Sequence, residues 1–284
     1  MVRALLVGIN DYIDPQVNDL NGCVNDITFW YNILITKFKV LPKNIRTLLN
    51  RRAKKTEITR RLVNMVSINK EDDKNLFIDS SHGTYMRDRN GDELSDHTDE
   101  CIVCADCHDE YGLLSDDEIA KIFSRAHPKA MNIIIADACH SGTMNKTYYK
   151  KGHTHADPII QQRFHPMPLD IRHRETGCDK RSSFLGINTA VNSVATGMNM
   201  VAGSRDNTIC LAACGDAQTS IDGYYDGNYH GAFTWCVEQI LKKNINFTYK
   251  TLMTEIKNNI KNYDTDQIPQ IDGANWVQDL PIFT

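Results

Sequence analysis

Nowhere in the 284 residues is there an apolar run approaching the roughly 20 needed to cross a bilayer, so the sequence offers no membrane-spanning helix. A basic-then-apolar leader is missing too. The N-terminus enters an apolar strand at once, over Val2 to Ile9, and the expectation is a soluble cytoplasmic protein with no prodomain before that strand. Basic charge is not in excess. Lys and Arg total 32 against 36 Asp and Glu, the net charge is −4, and the basic residues are scattered, which excludes a nucleic-acid-binding surface. There is no internal repeat and no low-complexity tract. Cysteine does not form an even framework: nine residues lie in apolar strands, in helices and beside acids, and without a secretory leader they read as free thiols.

What is present is an alternation. Apolar runs over Val2 to Ile9, Ile45 to Leu49, Asn75 to Ser80, Met131 to Ala138 and Thr208 to Ala213 read as buried strands. Helical stripes over Asn21 to Thr36, Thr56 to Ile68, Gly231 to Lys243 and Thr248 to Asn262 fall between or after them. Ser115-Asp116-Asp117-Glu118 is a capping box that opens a further helix through about Ala126. Strands alternating with helices predict a mostly parallel sheet covered on both faces. Cys101 to Ala105 reads as a short strand, and the chain closes on a short apolar run, Leu280 to Phe283. From about Lys146 to Arg181 no helical or strand period is found, and stretches of this length inside a domain are usually functional.

Two of the strands end in polar clusters. LFIDSSHGT closes on Ser80, Ser81, His82 and Gly83; IIIADACHSG closes on Asp137, Cys139, His140 and Gly142. Ligands of parallel sheets bind at the carboxyl ends of strands. A thiol and an imidazole on that rim make a nucleophile with a base that can later protonate a leaving amine. Gly83 leaves its backbone N–H open to a substrate carbonyl, and with the Cys139 N–H it would form an oxyanion hole. Taken singly, a strand-end cysteine is ordinarily a small core residue and a His-Gly pair a turn; the combination is what points to catalysis. His140 directly follows the nucleophile, and adjacent side chains diverge, so it is not assigned a direct role.

Here the chain resembles the metacaspases, cysteine peptidases of the caspase fold. The resemblance rests on His82-Gly83 closing one strand and Asp137-x-Cys139-His140-Ser141-Gly142 closing the next. LLVGINDY with LNGCVNDI, RDRNGDELSDHTDE, YGLLSDDEI, and ACGDAQTSID with GAFTW carry it further. It implies a single caspase-like α/β domain with a sheet of about six strands and helices on both faces. Residues 1–145 would be the large-subunit-like part, 146–197 a linker and 198–284 the small-subunit-like part. It implies Cys139 as nucleophile, His82 as general base and acid, and a specificity pocket of Cys23, Asp26, Ser80 and Asp137. Two carboxylates in one concave site suit a cation, which predicts cleavage of protein or peptide substrates after Arg or Lys.

The resemblance also implies calcium, with Asp92, Glu93 and Asp106 as ligands; hard oxygens at short spacing suit that ion. Lys146 stands where an acid is expected and removes one ligand. Ser81 replaces an expected glycine. No organic cofactor is expected. Self-cleavage in the linker is expected at one or more of Lys150, Lys151, Arg163, Arg172, Arg174, Lys180 and Arg181, making the uncut chain a zymogen. The expected state is a monomer. Cys101, Cys104, Cys107 and His108 have a metal-like spacing, but thiols three apart on an extended segment do not share one face, and no second C-x-x-C pair exists. Two other readings stand beside this one: a caspase-fold binding or scaffold protein without turnover, and a legumain- or clostripain-like cysteine peptidase.

Overall fold

The computed structural model describes residues 1–87, 98–108, 110–139, 160–166, 207–215, 218–263 and 267–284. Its centre is a six-stranded sheet. The strands are β1 (Val2–Gly8), β2 (Ile45–Leu49), β3 (Lys74–Ser80), β7 (Met131–Asp137), β9 (Thr208–Ala212) and β12 (Gln270–Gly273), in the order β12-β9-β7-β3-β1-β2. All neighbours run parallel except β12, which pairs antiparallel with β9. The fold expectation of about six mostly parallel strands is met.

Each central strand is buried on both faces, and alternation divides its side chains between two cores. Leu5, Val7, Phe77, Ile134 and Ala136 face a core that includes Ile58, Leu62 and Met65 of α2 (Lys55–Ser67) and Ile119, Ile122 and Phe123 of α3 (Asp116–Phe123). Ala4, Leu6, Leu76, Ile78, Ile133 and Ile135 face the other core. That core is closed by α1 (Cys23–Thr36), α4 (Ala232–Lys243), α5 (Tyr249–Asn259) and the short α6 (Asn275–Gln278). The capping box at Ser115 forms as expected, with reciprocal bonds between Ser115 and Glu118. The start of α2 has no side-chain cap of its own and is instead met by Asp106, whose Oδ1 accepts from the Lys55 N–H at 3.0 Å.

Several elements differ from the sequence expectation. Cys101 to Val103 belongs to β5 (Thr98–Val103), which lies in a separate antiparallel sheet between β4 (Gly83–Arg87) and β6 (Leu113–Ser115). β10 (Ile221–Tyr225) and β11 (Asn228–Gly231) form an unforeseen hairpin, turned by Asp226 and Gly227 with φ of 46° and 88°. Positive φ at both central residues is what an Asp-Gly hairpin turn needs. The Lys146 to Arg181 stretch, read as lacking any period, contains β8 (Gln161–Gln162), which pairs antiparallel with β10. The terminal apolar run, which the sequence left unassigned, packs without joining the sheet. Phe283 instead fills the helical core, edge-on to Trp30, Phe38 and Tyr249.

Candidate active site

Register sets the site. Gly8, Ser80 and Asp137 are aligned across β1, β3 and β7, so the polar ends of β3 and β7 finish in one row. Ser80 shares a face with Leu76 and Ile78, and Asp137 with Ile133 and Ile135, by the two-residue period of strands. That is the face covered by α1, whose first turn carries Cys23 and Asp26. The four positions expected to form a pocket are thus brought together, and all are buried.

The pocket is filled by Arg163, which follows β8 and is fully buried. Its Nη2 donates to Asp26 Oδ2 and to Asp222 Oδ1, each at 2.8 Å. Its Nη1 donates to Ser80 Oγ at 2.8 Å and to the Asp137 carbonyl at 3.1 Å, and lies 3.3 Å from Asp137 Oδ1. A buried cation is costly unless paired and hydrogen-bonded, and here both ends of the guanidinium fork are used.

The carboxylates are themselves held by donors, which is how three acids can share a buried space. Asp222 accepts from the Asn21 and Gly22 N–H groups at the start of α1. Asp137 Oδ2 accepts from the N–H and Oγ1 of Thr234 in the first turn of α4, and its Oδ1 from Ser220 Oγ. Helix N-termini favour such anions. Asp26 accepts from Ser80 Oγ, His230 Nδ1 and the Gly231 N–H. Burial raises the Asp26 carboxyl above the usual range, while Arg163 and His230 pull it back. A Cβ at Gly231 would lie 2.2 Å from Asp137 Oδ2 and 2.5 Å from Arg163 Nη1, so only glycine fits there.

The backbone of Arg163 is held as firmly as its side chain. Its carbonyl oxygen accepts from the Gly83 N–H at 3.0 Å and the Cys139 N–H at 3.2 Å. Its own N–H donates to the Ser220 carbonyl at 3.0 Å. Beyond it, the His165 N–H donates to the Gly83 carbonyl, also at 3.0 Å. Residues 161–165 therefore lie across the strand ends as an extended segment, with β10 on one side of Arg163 and Gly83 on the other.

His82 sits between β3 and β4. Its Nε2 lies 2.8 Å from the Asn18 carbonyl, which can only accept, so Nε2 carries the proton and Nδ1 of the neutral ring is a bare acceptor. Among the described residues Nδ1 has no hydrogen-bond partner. Burial pushes the His82 imidazole down to about 4, against the opposing effect of the Asn18 bond, so the ring is neutral near pH 7. The Cys139 thiol donates to the Gln218 carbonyl at 3.0 Å, and Cys214 Sγ shares that acceptor at 3.4 Å. Ser81, where a glycine was expected, donates to Asp79 at 2.7 Å inside the core. Burial raises Asp79 to about 7.

Of the remaining expected residues, His140, Lys146, Asp92 and Glu93 lie outside the described residues, as do Lys150, Lys151, Arg172, Arg174, Lys180 and Arg181. Cys101, Cys104 and Cys107 are buried, and no group of three or more His, Cys, Asp or Glu able to hold a metal occurs among the described residues. Sequence reasoning missed Asp222, Ser220, His230 and Thr234. A readable signal existed for Asp222: an acid two residues past Ser220 in a strand leading into an Asp-Gly turn.

Comparison of structures defines the class. The fold is similar to Caspase-1 from Spodoptera frugiperda, with a TM-score of 0.56 at 11% identity over 96% of this chain and 88% of that one. It is also similar to a protein from Geobacter sulfurreducens, with a TM-score of 0.66 at 22% identity over 100% and 98%. The architecture is therefore caspase-like. Residues 2–147 match the family described as Metacaspase, peptidase C14 domain, and the chain belongs to that family of cysteine-type peptidases. Metacaspase-1 of Schizosaccharomyces pombe is 27% identical over 95% of this chain and 66% of its own length. Metacaspase-4 of Arabidopsis thaliana is 31% identical over 49% of this chain and 33% of its own. The chain thus spans about two thirds of the length of the first of these relatives and a third of the second.

Proposed function

We propose that this chain is a cysteine endopeptidase that cleaves after arginine, and less efficiently after lysine, and that the first bond it cuts is its own Arg163–Phe164 bond. The observation that carries the reading is the double hold on Arg163. Its guanidinium is bound by Asp26, Asp137 and Asp222, while its carbonyl oxygen is bound by the N–H groups of Gly83 and Cys139. A side chain recognised in a charged pocket and a carbonyl held by the nucleophile's own N–H together describe a residue poised for acyl transfer.

The chemistry follows from these atoms. Once the Cys139 S–H leaves the Gln218 carbonyl, His82 Nδ1 takes its proton, and the sulfur adds to the Arg163 carbonyl carbon. The resulting oxyanion stays on the Gly83 and Cys139 N–H groups. His82 then gives the proton to the Phe164 nitrogen, the C–N bond breaks, and a thioester joins Cys139 to Arg163. Water, deprotonated by the same imidazole, hydrolyses the thioester and restores the thiol. Arginine is preferred over lysine because two nitrogens of the planar fork reach separate acceptors at once, which a single ammonium cannot match. Every group in these steps comes from one chain, so a monomer suffices. Two of the expected calcium ligands, Asp92 and Glu93, lie outside the described residues, the third, Asp106, accepts from the Lys55 N–H, and no step passes through the ion.

The test is intact-mass analysis of purified protein over time. Wild type is expected to yield a fragment ending at Arg163, Cys139→Ala none, and Arg163→Ala none at this position while still cleaving added Gln-Gln-Arg peptides. A Cys139→Ala protein that is processed identically, or a wild type that cuts neither itself nor any Arg or Lys peptide, would sink the reading and favour a binding protein.

A further inference from the structure

We propose that Tyr85 forms a second specificity subsite, one that selects an aromatic residue immediately after the cut. This rests on the peptidase reading above but concerns the opposite side of the scissile bond. Phe164, the residue following Arg163, lays its ring on that of Tyr85, with centroids 6.1 Å apart and planes inclined by 22°. The contact is set by backbone geometry. Gly83 is bridged to Phe164 in parallel fashion, donating to the Arg163 carbonyl and accepting from the His165 N–H.

In β4, Gly83 and Tyr85 share a face, while Thr84 and Met86 are buried on the other. Whatever backbone docks on Gly83 therefore brings its next side chain over Tyr85. Gly83 contributes no side chain of its own, so Tyr85 is the first side chain of β4 that the segment meets. Both rings are half-buried, so each covers the other from water. Beside them, β5 places Glu100 directly opposite Tyr85 and Ile102 opposite Gly83. The floor of the subsite is thus a paired strand rather than a loose loop.

Near-parallel ring pairs are favourable beyond the area they bury. The subsite takes a flat apolar side chain, Phe, Tyr or Trp, presented by any protein substrate with a basic residue before it. A β-branched or small residue at that position covers less of Tyr85.

The experiment uses the full chain carrying Arg163→Ala, which removes the internal competitor. Two internally quenched peptides are compared, Gln-Gln-Arg-Phe-His-Pro and Gln-Gln-Arg-Ala-His-Pro. The readout is the ratio of their kcat/KM values within each variant. The ratio is expected to be about fivefold in favour of Phe, to fall to near unity with Tyr85→Ala, and to be retained with Tyr85→Phe. Inactivation by a Gln-Gln-Arg chloromethyl ketone reports Cys139 and the arginine pocket with nothing beyond the cut. Normal reaction with the ketone together with equal cleavage of both peptides would overturn the subsite alone. No reaction with the ketone in the Arg163→Ala protein would bring down the peptidase reading and the subsite with it.

Discussion

The two sides of the Arg163–Phe164 bond are recognised by different physics. On one side, a charged group is fully enclosed by Asp137 at the carboxyl end of β7, Asp26 in the first turn of α1 and Asp222 near the start of β10. On the other, a half-exposed ring lies on Tyr85 of a small antiparallel sheet. Enclosure makes the first side nearly all-or-none, because a buried carboxylate cluster without its cation is costly. The open side grades its substrates by contact area. On the proposed reading, the deep pocket would set which residue is cut after, and the shallow one how fast.

That contrast can be attacked from the deep side first. Asp222→Asn removes one charge from the guanidinium and is expected to lower kcat/KM on Arg peptides by about 100-fold, in the range of a lost charge-assisted hydrogen bond. Steady-state kinetics showing a loss no greater than that of Tyr85→Ala would erase the distinction. Gly231→Ala should cost about 30-fold, because the added methyl meets Asp137 and Arg163 in a space with no slack. A crystal structure or Arg titration of that variant would show the pocket narrowed. Protonation offers a gentler probe. His82 must be neutral to act as base, and burial holds its pKa at about 4 in the linker-filled state. Self-processing should therefore continue as pH falls through the usual histidine range and be half-lost near pH 4. A midpoint near 6.5 would mean the imidazole is wetter than described. The smallest expected effect is the fivefold Phe-over-Ala ratio at the open side, abolished by Tyr85→Ala.

Much of the deep side was legible in the sequence, because strand ends advertise themselves. An apolar run such as Ile133 to Ile135 that stops at Asp137 and Cys139 marks the rim, while the grouping of Ser80 with Asp137 rested on the family resemblance and needs the register of β3 on β7 to put them side by side. Asp26 was placed by the family resemblance, since its position in the first turn of a helix alone reads as an acid complementing the dipole. Arg163 was not singled out among seven basic linker residues, since nothing local distinguishes Gln-Gln-Arg-Phe from its neighbours. Its place is set by partners far away in the chain, Asp26 and Asp222 above all. Asp222 was missed for the same reason: its role depends on β10 lying beside α1. The β10–β11 hairpin could have been found from Asp226-Gly227. β12 could not, because Gln-Ile-Asp-Gly carries no apolar signal and becomes a strand only by pairing with β9. The open side was invisible, since Tyr85 and Phe164 meet only through the Gly83 backbone.

One consequence follows from the way Arg163 is held at both ends. When its bond to Phe164 is hydrolysed, Arg163 becomes a chain terminus still joined to Cys139 through the intervening linker. The new carboxylate faces two N–H donors, and the guanidinium keeps its aspartates. Under the proposed self-cleavage, the product would be a tethered competitor, held near the site at an elevated effective concentration by its covalent link through the chain to Cys139. Any outside substrate must displace it. Turnover on other proteins would then be governed by how often this leash lets go, and a second cut within the linker would free the enzyme more than the first.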